Sequence, residues 1–419
     1  MRIRSSYLLF AWCLLTCFSM VATAQTNDRR RFESDVFSQS ELLDQRMELA
    51  PWRRGSLLAA PLLGLRNSGY DSNVFSTISA LEEEDFSLNP EVGIQTYWRI
   101  SPRWVWANRA TYDYLYYFDL DELRGSQFGL ESKLYGRFKR LYLEFGSLYR
   151  RDTGNPNSET EQRPFYERVI SDFSLDYEIM PRGSLHAEAN LNDIDIRDTS
   201  DPDLLELEHA ELSTELSFVY RKNAMFWPSV GVKIRDFDFD SLDNPRDDSQ
   251  FVRFFVGARN RYKRRTHYNV TIGIEQLNFD TVEDIDDDLL LVRSFAEHRL
   301  SRKWFVRGGA SQQPIFSVFD PYNFFVSRRI HVGGGYIFSN KTRLGPVVEF
   351  GNNDYRNPRT PVDVLREDDL QRFTIEAQFP FQRFYTFNVS FGWLDRDSNI
   401  PLQSDEGFQI QTEIRNVRF

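Results

Sequence analysis

Cysteine is almost missing from this chain of 419 residues. Its only two, Cys13 and Cys17, fall inside a leader-like N-terminus. Once that leader is gone no thiol remains, which excludes disulfides, thiol catalysis and Cys-ligated metal. Long apolar runs are missing too. Past residue 25 no stretch approaches the roughly 18 residues that a membrane-spanning helix needs, and mean hydropathy is −0.51. Histidine is scarce: His186, His209, His267, His298 and His331 share no H-E-x-x-H or paired spacing, so no metal site is expected. Basic charge also runs short. Losing Arg2 and Arg4 with the leader takes the 51 basic residues to 49 against 62 acidic, a net charge of −13. Such a surface repels nucleic acid, and no nucleic-acid partner is expected.

Met1 to Ala24 reads as a secretory signal. Arg2 and Arg4 form the positive region, Tyr7 to Val21 the apolar one, and Ala22-Thr23-Ala24 a cleavage site that leaves Gln25 first. The competing reading, a membrane anchor, suffers from the shortness of the run and the small residues that close it. Neither cysteine sits at the cleavage point, which argues against a lipoprotein. Residues 25–54 are polar and lack alternation, and read as a periplasmic N-terminal segment. Within them Ser40 to Leu49 could form one amphipathic helix, with Leu42, Leu43, Met47 and Leu49 as a weak stripe. A flexible lead-in is the favoured reading, a plug or docking helix the other.

What the chain has in quantity is aromatic residues: 36 Phe and 19 Tyr, with aromatics at 15%. Low hydropathy with many rings suits a β-barrel, whose alternate residues meet lipid and water. Leu88, Pro90, Val92, Ile94, Thr96, Trp98 and Ile100 share one face, with Glu91, Gly93, Gln95 and Arg99 on the other. The next segment puts Trp104, Trp106, Ala110, Tyr112, Tyr114 and Tyr116 outward and Arg103, Arg109 and Asp113 inward. Period-two alternation of this length is a strand signal that no helix satisfies. The unit recurs from Leu57–Arg66 to Phe408-Ile410-Ile414. The expected fold is therefore all-β, a transmembrane antiparallel up-and-down barrel over residues 55–419. It would have about 18 strands, with about 16 left open.

Connections alternate as well. Short ones are basic or turn-forming, as at Ser101-Pro102-Arg103, Lys139-Arg140, Lys222-Asn223 and Ser339-Asn340-Lys341. Long ones are acidic and rich in Asn, Pro and Gly, as over residues 152–164, 236–248 and 352–369. Short periplasmic turns and long extracellular loops are the arrangement of outer-membrane barrels. A soluble propeller or sandwich would bury its apolar faces and show no such asymmetry. Trp98, Trp104 and Trp106 flank one turn, and Tyr220, Phe226 and Trp227 another, as in an interfacial aromatic girdle. The chain ends in Phe419, as barrels recognised by the assembly machinery commonly do. The last strand changes parity from Phe408-Ile410-Ile414 to Val417-Phe419, which implies a bulge near Arg415.

No catalytic constellation, cofactor or metal is expected, and the chain reads as a non-enzyme. Asp284, Asp286, Asp287 and Asp288 lack the glycine and spacing of a Ca²⁺ loop. Gly333-Gly334-Gly335 falls mid-strand and precedes no helix, so it is no phosphate loop. The inward face is the informative set. It carries Arg109, Arg137, Arg168, Lys233, Arg253, Arg259, Arg307 and Arg329 against Glu131, Glu144, Asp172, Glu188, Glu275 and Glu349. Both signs on one face require water or partners, so these residues are expected to line an aqueous lumen, to brace its wall, or both. One connection, Gln312 to Phe325, is aromatic. Phe316, Phe319, Tyr322 and Phe324 are candidates for stacking on sugars, against the alternative of a loop that packs on itself or over the mouth.

Gly69-Tyr70-Asp71-Ser72-Asn73-Val74-Phe75, after Pro61-Leu62-Leu63-Gly64-Leu65, resembles the opening strand of the β-barrel porin 2 family. The resemblance implies a passive outer-membrane conduit for exopolysaccharide, working with a periplasmic polysaccharide export protein. A general diffusion porin for small hydrophilic solutes is the alternative.

Overall fold

Only a helix or a closed sheet satisfies every backbone donor and acceptor inside a bilayer, and these short alternating segments can form only the sheet. The computed structural model has that form. It describes residues 36–74, 83–153, 165–197, 205, 207–223, 225–239, 248–260, 265–279, 287–317, 322–358, 364–381, 385–400 and 404–416. The signal segment with its Ala24–Gln25 junction, Asp284, Asp286, Phe319 and Phe419 lie outside them.

Helix α1 (Val36–Leu49) leads into β1 (Trp52–Arg54), β2 (Leu57–Asp71), β3 (Asp85–Leu88), β4 (Pro90–Arg99), β5 (Trp104–Tyr117) and β6 (Gly125–Arg137). There follow β7 (Leu141–Thr153), β8 (Phe165–Met180), β9 (Gly183–Arg197), β10 (His209–Tyr220), β11 (Trp227–Phe239), β12 (Ser249–Arg259) and β13 (Thr266–Phe279). The chain closes with β14 (Asp287–Arg299), β15 (Trp304–Phe316), β16 (Tyr322–Ile337), β17 (Arg343–Pro358), β18 (Glu367–Phe381), β19 (Tyr385–Ser398) and β20 (Asp405–Asn416). Apart from the short β1 and β3, they form a closed antiparallel barrel of 18 strands. The alternative of 16 is thereby removed.

The wall alternates as the residue pattern requires. Val256 is 59% exposed and Val332 63%, while Glu275, on the other parity of β13, is fully buried. A valine left this bare faces lipid. Rings gather beside the short turns: Trp98 lies 6.0 Å from Trp106, Trp104 5.7 Å from Phe138, and Trp304 5.0 Å from Tyr336. Two of those turns are built alike, the Ser101 and Ser301 hydroxyls each accepting from the backbone N–H groups two and three residues on. Trp227 departs from the expected girdle. Its parity turns it inward, where it is buried, and its Nε1–H donates to the Asn223 carbonyl at 2.6 Å.

The Gly69–Asn73 segment closes the barrel. Gly69, at φ +156°, packs so tightly on β20 that a Cβ would stand 1.7 Å from the Ile410 carbonyl oxygen. Tyr70 meets the Phe408 ring at 5.3 Å, Asp71 accepts from the Gln409 amide at 2.7 Å, and the Phe408 N–H donates to Ser72 Oγ at 2.8 Å. Asn73 donates to the Glu406 carbonyl at 3.2 Å. The irregularity at this seam is in β2, between Leu65 and Ser68, with Asn67 at φ +30°. The bulge expected near Arg415 is not there: β20 pairs with β19 in unbroken register through Asn416.

Candidate functional site: the lumen and its two mouths

Inward-pointing side chains of an 18-strand wall surround a space wide enough for water, and here they are charged. Arg66 anchors one side, with Asp113 at 2.7 Å, Asp152 at 3.4 Å and Glu91 at 3.9 Å. Arg109 reaches Glu91 at 3.3 Å and stands across from Glu131. Lys133 pairs with Glu144, Arg168 donates to Asn192 at 2.5 Å, and His186 meets Asp176 at 3.0 Å and Glu188 at 3.6 Å. Asp172 lies in the field of Lys133, Glu144 and Glu188. On the far side Arg235 and Arg253 share one oxygen of Glu275, each at 2.9 Å. Arg307 pairs with Glu376 at 2.6 Å, Arg329 donates to Asn353 at 2.8 Å, and Glu349 sits between His331 and Arg372. Arg259 stacks over Trp227 at 5.9 Å, and Lys233 lies between Glu215 and Arg253.

The inward set named from parity thus occupies the inner wall, much of it braced by neighbours. Parity counting set Glu91 and Asp113 inward but passed over Arg66, which was legible on the same parity as the buried Leu58, Ala60 and Leu62. Arg235 was legible two residues beyond Lys233.

The mouth on the side of the short turns holds α1, so that residues 36–49 of the expected lead-in form a docked helix. Leu43, Met47 and Ala50 are buried against Leu58, Tyr97, Val105, Ala107, Tyr135 and Tyr142, all on the inner face. Asp44 accepts from Arg137 at 2.6 Å. Arg53 folds back to the carbonyls that end the helix, Ala50 at 3.3 Å, Met47 at 3.4 Å and Glu48 closer still, a cation where the helix dipole favours one. Arg46 lines a small cavity with Tyr97, Arg109, Glu131, Lys133 and Tyr135. The helix was hard to read because its own apolar stripe is narrow, and its partners are strand residues that look like pore lining.

At the other mouth the aromatic loop expected over Gln312–Phe325 is mostly strand. Pairing of β14 with β15 stops at Val292–Gln312, but β15 and β16 continue to Phe316–Phe324. The freed hairpin leans into the barrel. Phe316 lies 4.8 Å from Phe237, 5.1 Å from Phe239 and 5.6 Å from Phe251, on strands β11 and β12. Phe324 stacks on Phe279 at 5.7 Å and is fully buried, so its ring offers a solute no face. Phe316 and Phe324 share parity with lipid-facing Ala310 and Ile330, so only an inward bend can bury them here. Tyr322 packs with Phe325 and Tyr355, above a buried Arg366–Asp368 pair at 2.8 Å. Of the rings proposed for sugar stacking, Phe316, Tyr322 and Phe324 therefore pack into an inward flap.

No protein-family model and no curated sequence matches this chain, so the resemblance at Gly69–Phe75 rests on those residues alone. Solved structures do resemble it. The outer-membrane protein OpdK of Pseudomonas aeruginosa superposes at a TM-score of 0.51 and 12% identity, over 85% of this chain and 97% of that one. OccK2 (OpdF) of the same organism, in complex with glucuronate, gives 0.51 and 9% over 86% and 98%. The FrpB iron transporter of Neisseria meningitidis gives 0.52 and 9% over 84% and 63%. The likeness is one of fold: this chain is a β-barrel of the outer-membrane type.

Proposed function

We propose that this barrel is a passive outer-membrane channel for small hydrophilic solutes, and not an enzyme. The observation that carries the reading is the division of the wall, with bare aliphatics and rings outside and charge of both signs inside. Charges buried without purpose cost several kcal/mol each, whereas a water-filled passage uses them. α1 and the aromatic flap occupy the two mouths and set an upper limit on what passes. That limit favours small solutes, as does the glucuronate bound by a structural neighbour. The polysaccharide conduit remains the second reading, supported by the Gly69–Phe75 resemblance. It requires both mouths to widen and a periplasmic export partner to deliver the polymer.

Purified barrel in planar bilayers should give discrete conductance steps, and proteoliposome swelling should fall steeply from monosaccharide to trisaccharide. Absence of conductance both in the wild type and in a chain lacking residues 36–49 would overturn the channel. Loss of surface polysaccharide in a deletion strain, with small-solute flux unchanged, would instead favour the second reading.

A further inference from the structure

Structural ion pairs in a sheet alternate in sign across neighbouring strands, because like charges directly opposite destabilise and unlike charges stabilise. Much of this lumen obeys that rule. Arg109 faces Glu131, and Glu349 faces Arg372. One row breaks it. Glu188 on β9 stands directly opposite Glu215 on β10, Glu215 opposite Lys233 on β11, and Lys233 opposite Arg253 on β12. The row reads acid, acid, base, base, with like charges adjacent at two of its junctions, before Glu275 opposite Arg253 restores the alternation. Asp172 deepens the acidic side, diagonal to Glu188, and Arg235 deepens the basic side through their common partner Glu275. Unmet polar atoms remain on both sides. Asp172 Oδ1, Arg235 Nε and Arg253 Nε are buried without a hydrogen-bond partner among the described residues.

A row that gives up stability for segregation is suited to a ligand and poorly suited to bracing. We infer that Glu188 and Glu215 together with Lys233 and Arg253 form a solute subsite in the lumen that takes dipolar organic molecules, an amine on the acidic block and a carboxylate on the basic one. The choice of a dipole follows from distance. Strands lie about 4.8 Å apart, so the block centres are separated by roughly 10 Å along the wall, and less at the tips of these long side chains. That is about one Debye length at physiological salt. A simple anion drawn to the basic block is therefore still repelled by the acidic one, and a simple cation meets the reverse. A zwitterion satisfies both at once.

This inference rests on the channel reading, and two readouts separate them. The probe is 4-aminobutyrate, compared with the neutral polyol erythritol. In proteoliposome swelling the wild type should admit 4-aminobutyrate several-fold faster than erythritol. Glu188→Gln/Glu215→Gln and Lys233→Gln/Arg253→Gln should each erase the preference while shifting the reversal potential in a salt gradient in opposite directions, towards anions and towards cations. Heat-modifiable gel mobility verifies that each variant folds. Saturation-transfer NMR of the detergent-folded barrel with 4-aminobutyrate reads binding without transport. A saturation-transfer signal present in the wild type and abolished in both double variants supports the subsite even if no channel conducts. A conducting barrel without solute preference, or equal saturation transfer in all three proteins, overturns the subsite and leaves the channel standing.

Discussion

Asp44, on the helix that precedes the barrel, accepts a 2.6 Å hydrogen bond from the guanidinium of Arg137 on the inner wall of β6. The pair ties the helix to the lumen, yet it is not what holds it there. Asp44 is 49% exposed at its side chain, and such pairs contribute about 0–1 kcal/mol. Met47 is fully buried beside it, and truncating a buried Met costs about 2–5 kcal/mol. Asp44→Asn should therefore leave α1 in place, while Met47→Ala should release it. Limited trypsin digestion at Arg46 and Arg53 reads the difference, with rapid cleavage in Met47→Ala and wild-type resistance in Asp44→Asn. Single-channel conductance should rise in Met47→Ala only.

The flap should answer to its core in the same way. Phe324 lies in a cluster with Phe237, Phe251 and Leu277, and Phe324→Ala should cost the flap about 3–5 kcal/mol locally. Its partners sit on β11–β14, whose backbone pairing does not use the Phe324 ring. Global unfolding in urea should change little, while channel noise and the swelling rate with disaccharides increase. A barrel that fails to fold in this variant would show that the flap is part of the closing sheet.

Adjacent residues of β13 test which face meets lipid. Ile272 is exposed on the outside, and Thr271 pairs across the inner wall with Gly257 and Arg293. Ile272→Arg should lower folding stability in lipid by about 2–4 kcal/mol if it lies near the midplane. Thr271→Gln should change it by less than about 1 kcal/mol. Refolding yield into liposomes measures both, and equal losses would contradict the assignment of faces.

Two glycines separate backbone strain from steric overlap. Gly55, at φ +60°, has open space for 4 Å around the place a Cβ would take, so Gly55→Ala should cost about 1–2 kcal/mol, the penalty of a left-handed residue. Gly69→Ala would drive a methyl into the Ile410 carbonyl. It should abolish the compact, heat-modifiable species on gels, and Gly55→Ala should keep it.

What the sequence made legible were the features with a period. Val230, Val232 and Ile234, or Phe408 and Ile410, declare their face because each neighbour two residues away agrees, so the strands and most inward charges could be placed. Features that depend on one break in that period were hidden. The bulge between Leu65 and Ser68 shifted the register of everything after it on β2, and the inward bend past Gln312 turned lipid-parity Phe316 and Phe324 into a buried core. α1 was obscured for a different reason. Leu43 and Met47 find their partners on strands far along the chain, such as Tyr97 and Tyr135, and no local pattern records a pairing of that kind.

The seam between β2 and β20 joins Ser72 to Phe408 across 336 residues. Bringing together ends so far apart costs about 5 kcal/mol of chain entropy, and nothing repays it until the last strand is present. Until then both margins of a forming sheet stay unpaired, and unpaired margins recruit other strands indiscriminately. A chain that stops short of β20 therefore yields a sticky ribbon in place of a narrower barrel. Folding succeeds only if something occupies those margins until Tyr70 and Phe408 meet.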